Sequence, residues 1–165
     1  MATLATLPKP VTEYQRLSPE ELFARTTAAK TTLGDRVMIL GHTYQRDEVI
    51  QHAEFRGDSL LLSKIAQERS DRPYVVFCGV HFMAETADVL SRSNQTVVLP
   101  DMAAGCSMAD MAAIEQVEQC WDALSRMVPV EETVMPAVYV NSAAVLKAFC
   151  GEHGGVTCTS SNAKA

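Results

Sequence analysis

Apolar runs and amphipathic stretches alternate along this chain of 165 residues. Short apolar runs at Arg36–Gly41, Tyr74–Cys78 and Thr96–Leu99 predict buried β-strands. The first run ends in glycine, and the other two are directly followed by glycine or proline. Apolar residues at helical spacing after Gly57, and again over Phe82–Leu90, predict amphipathic helices between these strands.

The same alternation continues on both sides of this central region. Ser18-Pro19-Glu20-Glu21 has the form of a helix start with a capping box, and this helix would run to about Leu33 with Gly34 able to end it. A longer helix is predicted to begin just after Gly105-Cys106, from five residues at offsets of 3 and 4: Ile114, Val117, Trp121, Leu124 and Val128.

Two more strands, Ala137–Val140 and Gly155–Cys158, flank a helix around Ala143–Phe149. Strands that alternate with helices predict an α/β fold with short parallel sheets in three-layer α/β/α units.

The predicted domains are unequal in completeness. Residues 1–17, with two prolines, form an N-terminal extension, and 18–110 form a first, complete α/β domain. Residues 111–165 form the start of a second α/β domain, which we expect to be truncated because only three residues follow the polar turn Thr159–Asn162.

Composition narrows the class of protein. Hydrophobic residues make up 47% and charged residues 21% of the chain, which is typical of a globular domain rather than a disordered, collagen-like or coiled-coil chain. The net charge is 14 − 20 = −6, so no basic field exists to hold nucleic acid or an anionic membrane, and the apolar runs are too short to cross a bilayer.

Five cysteines cannot form a complete intramolecular disulfide framework, and none belongs to a CxxC pair. Met1–Pro10 lacks the apolar core of a secretory signal, so we expect a reducing cytoplasm.

Polar residues follow the predicted strand ends, which is the edge where parallel sheets bind ligands. The sequence has no GxGxxG and no P-loop motif. The candidates for this edge are His42, Tyr44, His81, Asp101, Cys106, Tyr139, Asn141 and Ser160.

Six blocks of sequence occur in a specific order. They are His42–Gln45, Gly57–Leu60, Phe77–Thr86, Leu99–Asp101 with Gly105–Ser107, Tyr139–Ser142, and Cys158–Ala163. From about Arg36 to Ala165, this set resembles the quinolinate synthase family of iron–sulfur enzymes in NAD biosynthesis.

The resemblance implies three similar α/β domains around a pseudo-threefold axis, each giving one cysteine to a [4Fe–4S] cluster whose open iron acts as a Lewis acid. It also implies a reaction that condenses iminoaspartate with dihydroxyacetone phosphate to quinolinate, phosphate and water, with L-aspartate oxidase as the pathway neighbour.

Cys106 matches the first cluster ligand of the family, and a position at a helix N-terminus would lower the pKa of its thiol. The other two ligands lie in the later part of the enzyme, so we expect the isolated chain to bind no cluster and to be inactive. The remaining cysteines are expected to be packing residues: Cys78, Cys120, Cys150 and Cys158.

The resemblance places His42 and Tyr44 in the active site, His42 as a substrate ligand and Tyr44 as the proton-transfer group. It places Ser59 and Ser160, with Thr159 as a further candidate, around the phosphate-bearing substrate. Judged from the residues alone, an ordinary half-buried tyrosine is the favoured interpretation of Tyr44, and Ser59 can be a plain helix N-cap while neighbouring backbone amides bind an anion.

Tyr139 and Asn141 are expected by resemblance to contact substrate near the cluster. His81, Met83 and Glu85 match the family but receive no role beyond the core or domain contacts. The two other histidines, His52 and His153, are expected to be solvated surface residues.

Two other functions stay open from the residues alone. One is a phosphate-binding α/β domain without metal, and the other is an interaction half-molecule without catalysis.

Overall fold

The computed structural model describes residues 5–6 and 14–164. The described residues up to Ala104 form one compact unit, and those from Gly105 onward form a second. The second unit begins six residues before the predicted domain start at residue 111.

The first unit contains five strands and four helices. The strands are β1 (Ala5–Thr6), β2 (Val37–His42), β3 (Phe55–Gly57), β4 (Tyr74–Cys78) and β5 (Thr96–Leu99). The helices are α1 (Pro19–Leu33), α2 (Asp47–Ile50), α3 (Ser59–Glu68) and α4 (His81–Leu90), with 3₁₀ turns at Tyr14–Arg16 and Gly34–Arg36.

All neighbouring strands of this sheet are parallel, in the order β1-β5-β4-β2-β3. Leu40 of β2 lies opposite Phe77 of β4 on one side and Phe55 of β3 on the other. The two-residue strand β1 pairs with β5 and lies within the segment predicted as an N-terminal extension.

The core of this unit lies between one face of the sheet and helices α3 and α4. Val75, Phe77 and Val97 are fully buried on this face. Leu62 of α3 and Ala84 of α4 are fully buried as well. Burying a side chain of the size of valine, leucine or phenylalanine stabilises the fold by about 1.5–3 kcal/mol, so this layer dominates the stability of the unit.

The opposite face of the sheet is covered more loosely by α1, in which no residue is buried. A cavity of about 520 Å³ lies between Leu22 and Phe23 of the helix and Ile39, Val76 and Cys78 of the sheet. Helices therefore lie on both faces, as the predicted three-layer α/β/α class requires.

The ends of α1 match the sequence prediction. The amide of Glu21 donates to the Ser18 hydroxyl at 3.2 Å, and the Ser18 amide donates to the Glu21 carboxylate at 2.9 Å, which completes the capping box. Gly34 ends the helix with a φ of +53°, a backbone conformation that favours glycine.

Helix α3 ends on a side chain from a later part of the sequence. Gln95 is 1% exposed, and its Nε2 donates to the carbonyl oxygens of Ala66, Arg69 and Arg72 at 3.1–3.2 Å. Its Oε1 accepts the Arg92 amide at 3.1 Å, so both ends of the Gln95 amide are hydrogen-bonded. Gln95 thereby satisfies the Ala66 carbonyl in the last turn of α3 and binds two carbonyls of the turn that follows the helix.

The second unit contains α5 (Ile114–Ser125), α6 (Val130–Thr133), β6 (Ala137–Tyr139), α7 (Ala144–Glu152) and β7 (Val156–Cys158), with a 3₁₀ turn at Ala109–Met111. Strands β6 and β7 are parallel, and α7 packs against both. The α/β class with parallel sheets is therefore confirmed in both units.

The prediction for α5 was wrong in its start and its length. Cys106 lies eight residues before the helix, in a segment where its carbonyl accepts the Asp110 amide at 3.0 Å. Val128 lies three residues beyond the end of the helix at Ser125. It precedes Pro129, and proline disfavours helical geometry in the residue before it. The longest described helix is α1, with 15 residues.

The surface prediction for two histidines was also wrong. The ring of His153 lies 4.4–4.5 Å from the rings of Phe149 and Trp121, and its Nδ1 is 2.9 Å from a carboxylate oxygen of Glu131. His52 is half-buried, with its ring 5.0 Å from that of Phe23. An aromatic ring that is distant in sequence covers each histidine, Trp121 for His153 and Phe23 for His52.

Within the described part of the chain, no helix combines the length and apolar character needed to span a bilayer.

Candidate active site

His42 and Tyr44 lie together where β2 ends. Their ring centroids are 3.9 Å apart, and the Tyr44 amide donates to His42 Nδ1 at 3.4 Å. Partial burial lowers the pKa of His42, and the nearby Asp58 carboxylate opposes this shift. A neutral His42 whose Nδ1 is an acceptor carries its proton on Nε2, so it can donate to a carbonyl or carboxylate.

Tyr44 is 56% exposed, so it is not the half-buried tyrosine that was the alternative. Its hydroxyl lies 3.9 Å from the sulfur of Met83, which is itself only 3% exposed and belongs to α4. A thioether is a weak acceptor, and this contact therefore holds the phenol in place without strongly competing for its proton.

Ser59 is the first residue of α3, but the N-cap is Asp58, whose carboxylate accepts the Leu61 amide at 2.9 Å. The N-cap alternative for Ser59 is therefore wrong. A carboxylate at this helix end also makes the local potential less favourable for an anionic ligand than the helix dipole alone would suggest.

Helix α4 starts at His81, directly after the end of β4, and is joined to the segment that follows β5. The His81 amide donates to the Ala104 carbonyl at 2.8 Å, and His81 Nδ1 lies 3.8 Å from a carboxylate oxygen of Glu85. In the same segment, the Asp101 carboxylate accepts the Ala103 amide at 2.9 Å. These contacts fix the backbone around the strand ends.

In the second unit, Tyr139 and Ser160 come together at the ends of the parallel pair. Tyr139 pairs with Cys158 in register, and the hydroxyls of Tyr139 and Ser160 are 2.9 Å apart. The Val140 amide donates to the Cys158 carbonyl at 2.8 Å, which carries the pairing up to the half-buried Asn141.

The turn after β7 is closed by its own side chains. The carboxamide oxygen of Asn162 accepts the Thr159 amide at 2.6 Å and the Thr159 hydroxyl at 3.0 Å. This turn continues to residue 164 without becoming a helix in the described part of the chain. Thr159 is therefore used within the turn, and Ser160 presents its hydroxyl to Tyr139.

One polar residue close to Tyr139, Asn141 and Ser160 was not predicted from the sequence. The ammonium of Lys147, in α7, donates to the Ser142 carbonyl at 2.8 Å. The signal that could have found it is a single lysine within the otherwise uncharged run Ala143–Phe149, one helical turn after Asn141-Ser142.

Cys106 is half-buried and lies eight residues before α5, so the predicted position at the N-terminus of that helix is wrong. Burial raises the pKa of Cys78 to about 11 and raises that of Cys150, in agreement with packing roles. Cys120 is exposed on α5, and the packing prediction is wrong for it.

The model of the family described as Quinolinate synthetase A protein matches residues 25–165 of this chain. The chain belongs to this family. Its relatives include the quinolinate synthase of Corynebacterium glutamicum, 59% identical over 152 residues, which are 92% of this chain and 38% of the relative. The quinolinate synthase of Herpetosiphon aurantiacus is 58% identical over 153 residues, 92% of this chain and 40% of the relative. The chain thus spans about two-fifths of the length of these quinolinate synthases.

The family resemblance implies a [4Fe–4S] cluster, toward which this chain offers five cysteines. Among residues 5–6 and 14–164, no group of three or more His, Cys, Asp or Glu side chains could hold a metal ion. All five cysteines are free thiols. The described residues therefore do not form a complete cluster site, since a [4Fe–4S] cluster needs several thiolates.

Proposed function

We propose that this chain acts as part of a quinolinate synthase in NAD biosynthesis. Combined with the remainder of such an enzyme, it condenses iminoaspartate with dihydroxyacetone phosphate to give quinolinate, phosphate and water. The observation that carries the proposal is the 59% identity to a quinolinate synthase over nearly the whole chain. The positions of the matching polar residues at strand ends support it, because ligands of parallel sheets bind at that edge.

In this proposal His42 and Tyr44 act on the substrate from the first unit. The Nε2 proton of His42 donates to a substrate carbonyl or carboxylate, because its Nδ1 is held by the Tyr44 amide. Tyr44 transfers a proton as an acid, since the unperturbed pKa of a phenol is about 10. Ser59 contributes a hydroxyl at the start of α3, two residues after Gly57, which pairs with His42 in the sheet.

The second unit contributes Tyr139, Asn141 and Ser160 to substrate binding. The neighbouring hydroxyls of Tyr139 and Ser160 can donate to one oxyanion group, and the Asn141 amide offers both a donor and an acceptor. Phosphate and carboxylate oxygens of the two substrates match these donors.

Cys106 is proposed as one of three thiolate ligands of a [4Fe–4S] cluster, with the other two supplied by the remainder of the enzyme. Such a cluster supplies a Lewis-acid iron for the loss of a hydroxyl group. The five free thiols are compatible with a reducing cytoplasm as the compartment. L-aspartate oxidase is the class of enzyme that would deliver the imine substrate.

Anaerobic reconstitution with iron and sulfide tests this division of ligands. We expect the isolated chain to stay colourless, and to give a brown protein absorbing near about 400 nm when co-expressed with the C-terminal three-fifths of the Corynebacterium relative. Cys106→Ala should abolish the colour of the assembled enzyme, and Cys120→Ala, a change at an exposed cysteine, should not. A stoichiometric cluster with quinolinate formation in the isolated chain would contradict the shared site. Colour that survives Cys106→Ala would remove Cys106 from the proposed ligands, whereas an assembled enzyme that is colourless with and without Cys106 would favour the metal-free alternative.

Tyr44→Phe in the same assembled enzyme tests the proton-transfer role. We expect the cluster to be retained and turnover to fall by about 10²-fold, the usual contribution of one acid group. Tyr74→Phe is the control, because Tyr74 is exposed and is the first residue of β4, whereas Tyr44 follows the last residue of β2. Turnover that is unchanged in Tyr44→Phe removes Tyr44 from the mechanism.

A further inference from the structure

A polar cavity lies at the edge of the first sheet where its strands begin, opposite to the edge that carries His42 and Tyr44. It has a volume of about 480 Å³ and is lined by α1 and by the segments that precede β2, β3 and β4. Asp35, Glu54 and Arg72 come from these three segments, which share one edge because the strands are parallel. The volume is within the range of sites that bind small molecules.

The charged side chains that line this cavity balance each other. Lys30 and Arg72 are cations, and Asp35 and Glu54 are carboxylates. His52 also lines the cavity, and burial together with the nearby Lys30 lowers its pKa, so its ring is neutral near neutral pH. A ligand that carries one positive and one negative group fits such a lining, whereas a simple anion or a simple cation would face a like charge.

Arg72 is held by weak contacts, although its side chain is only 12% exposed. Its Nη1 lies 3.1 Å from a carboxylate oxygen of Asp35, whose side chain is fully exposed, and an exposed partner of this kind contributes little. Its Nε is buried without a hydrogen-bond partner in the described part of the chain, since the Asp71 carboxylate is 3.6 Å away. A ligand carboxylate can therefore replace Asp35 on the guanidinium, which binds carboxylates strongly.

Glu54 lies between the two cations but is beyond hydrogen-bond distance of both. Its carboxylate oxygens are 3.8 Å from Lys30 Nζ and 3.8 Å from Arg72 Nη2, and its side chain is 26% exposed. The Lys30 ammonium donates instead to the His52 carbonyl at 2.9 Å and keeps donors for a further acceptor. A largely buried carboxylate gains most from a charged donor that reaches it, so Glu54 is suited to a ligand ammonium.

An aromatic surface lies beside these charged groups. The rings of Phe23 and His52 are 5.0 Å apart, and Phe23 is 44% exposed. Both residues line the same cavity. The rings can cover an apolar or aromatic side chain of a ligand whose polar end is bound by the charged groups.

We propose that this cavity binds a free α-amino acid with an aromatic side chain. The ligand carboxylate binds Arg72 and Lys30, and the ligand ammonium binds Glu54. The ligand side chain lies on the Phe23 ring. The site belongs to the first unit alone and lies at the other edge of the sheet from the candidate active site, so it does not depend on the proposed function.

The test uses L-phenylalanine as the probe and the full 165-residue chain. The backbone amides and the ¹⁵Nε resonance of Arg72 are followed by NMR during the titration, and we expect Arg72, Thr27 and Glu54 to shift together. Two analogues separate the charges of the probe: hydrocinnamate lacks the ammonium, and phenethylamine lacks the carboxylate. Each should bind about tenfold more weakly than L-phenylalanine, because each loses one charge-assisted hydrogen bond. These titrations of the parent chain need no variant to fold.

Glu54→Gln removes the charge that faces the ligand ammonium and keeps the size of the side chain. We expect it to weaken the binding of L-phenylalanine by about tenfold and to strengthen that of hydrocinnamate, whose carboxylate no longer faces Glu54. A purely structural role of Glu54 would weaken both ligands. Glu68→Gln removes the same charge from an exposed position on α3 and should bind both ligands like the parent.

Absence of L-phenylalanine binding to the parent chain would overturn the proposal, because the cavity would then hold water alone. Equal affinity for hydrocinnamate would also overturn it, since the ligand ammonium would then have no partner. Shifts confined to the surroundings of His42 and Tyr44 would place the ligand at the other edge of the sheet and contradict the proposed site. Equal effects of Glu54→Gln and Glu68→Gln would exclude Glu54 as the partner of the ammonium.

Discussion

At the scale of single residues, the buried amide of Gln95 has the sharpest consequence for stability. Gln95→Glu would turn a carboxylate oxygen toward the carbonyls of Ala66, Arg69 and Arg72, which lie in the last turn of α3 and the turn after it and now accept hydrogen bonds from Nε2. We expect the free energy of unfolding to fall by about 3 kcal/mol, because a buried group loses its partners and gains a charge. Urea denaturation followed by far-UV circular dichroism measures the loss.

Gln67→Glu is the matched control, since Gln67 is exposed on the same helix. It should stay within about 0.5 kcal/mol of the parent, the usual range for surface substitutions. A similar small effect for Gln95→Glu would show that the buried amide does not hold the end of α3.

His42 gives a second prediction, which concerns pH. Burial holds its pKa below 6.5 in the folded chain, so the unfolded chain binds the proton first as the pH falls. The stabilising contribution is fully present above the unfolded pKa of about 6.5 and is lost progressively as the pH falls from there toward the folded pKa. An NMR titration of the His42 ring should give a midpoint below 6.5.

Asp58→Asn should lower that midpoint further, because the Asp58 carboxylate raises the pKa of His42. Ser93→Asn, at an exposed turn residue, should leave the midpoint unchanged. A His42 midpoint at or above 6.5 would contradict the burial that the structure assigns to this ring.

Some site residues could be predicted from sequence and others could not. His42 and Tyr44 were expected at a strand end because they directly follow an apolar run, and the structure places them there. Cys106 was expected at a helix start because the periodicity of α5 gives no marker of where the helix begins. The contact of Lys147 with Ser142 depends on how α7 is rotated against β6, and that rotation is set by tertiary packing.

At the scale of elements, Gly41 within β2 controls how closely the chain after β2 approaches the sheet. A Cβ at this position would meet Ile50 Cδ1 and lie 2.9 Å from the Cβ of Ala53. We expect Gly41→Ala to lower the free energy of unfolding by about 1–3 kcal/mol through overpacking. Thermal or urea unfolding checks this value.

Gly151→Ala is the control, because Gly151 lies in the helix α7 with no atom within 4 Å of an added Cβ. It should be neutral or stabilising by about 0.5–1 kcal/mol, since alanine loses less backbone entropy in a helix. If both substitutions behave alike, the close approach at Gly41 carries no cost.

The elements that were predicted well from the sequence are those with uninterrupted runs of apolar residues. The runs Tyr74–Cys78 and Thr96–Leu99 coincide with β4 and β5, because a buried parallel strand is apolar at nearly every position. Strand β3 was not predicted, since Phe55–Gly57 is only three residues long and has no apolar run. Its pairing with β2, rather than its own sequence, determines that it is a strand.

At the scale of the whole molecule, the two units should differ in stability. Among the described residues, the second unit has a sheet of two strands, which is marginal without further support, whereas the first unit has a sheet of five. Trp121 is the single tryptophan of the chain and belongs to the second unit. We expect its fluorescence transition to occur about 1 M lower in urea than the main far-UV circular dichroism transition.

Trp121→Phe should remove the early fluorescence signal and leave the main circular dichroism transition in place. Coincident transitions by both probes in the parent chain would instead indicate that the two units unfold as one cooperative body.

The hydrogen bonds from Gln95 at the end of α3 have a consequence for folding during synthesis of the chain. Helix α3 ends at Glu68, but the side-chain amide that donates to the Ala66 carbonyl in its last turn belongs to Gln95, which the ribosome adds 27 residues later. Until then water must hydrogen-bond this carbonyl, and the last turn of the helix frays. The last turn of α3 is therefore completed only after Gln95, the residue directly before β5, has been synthesised.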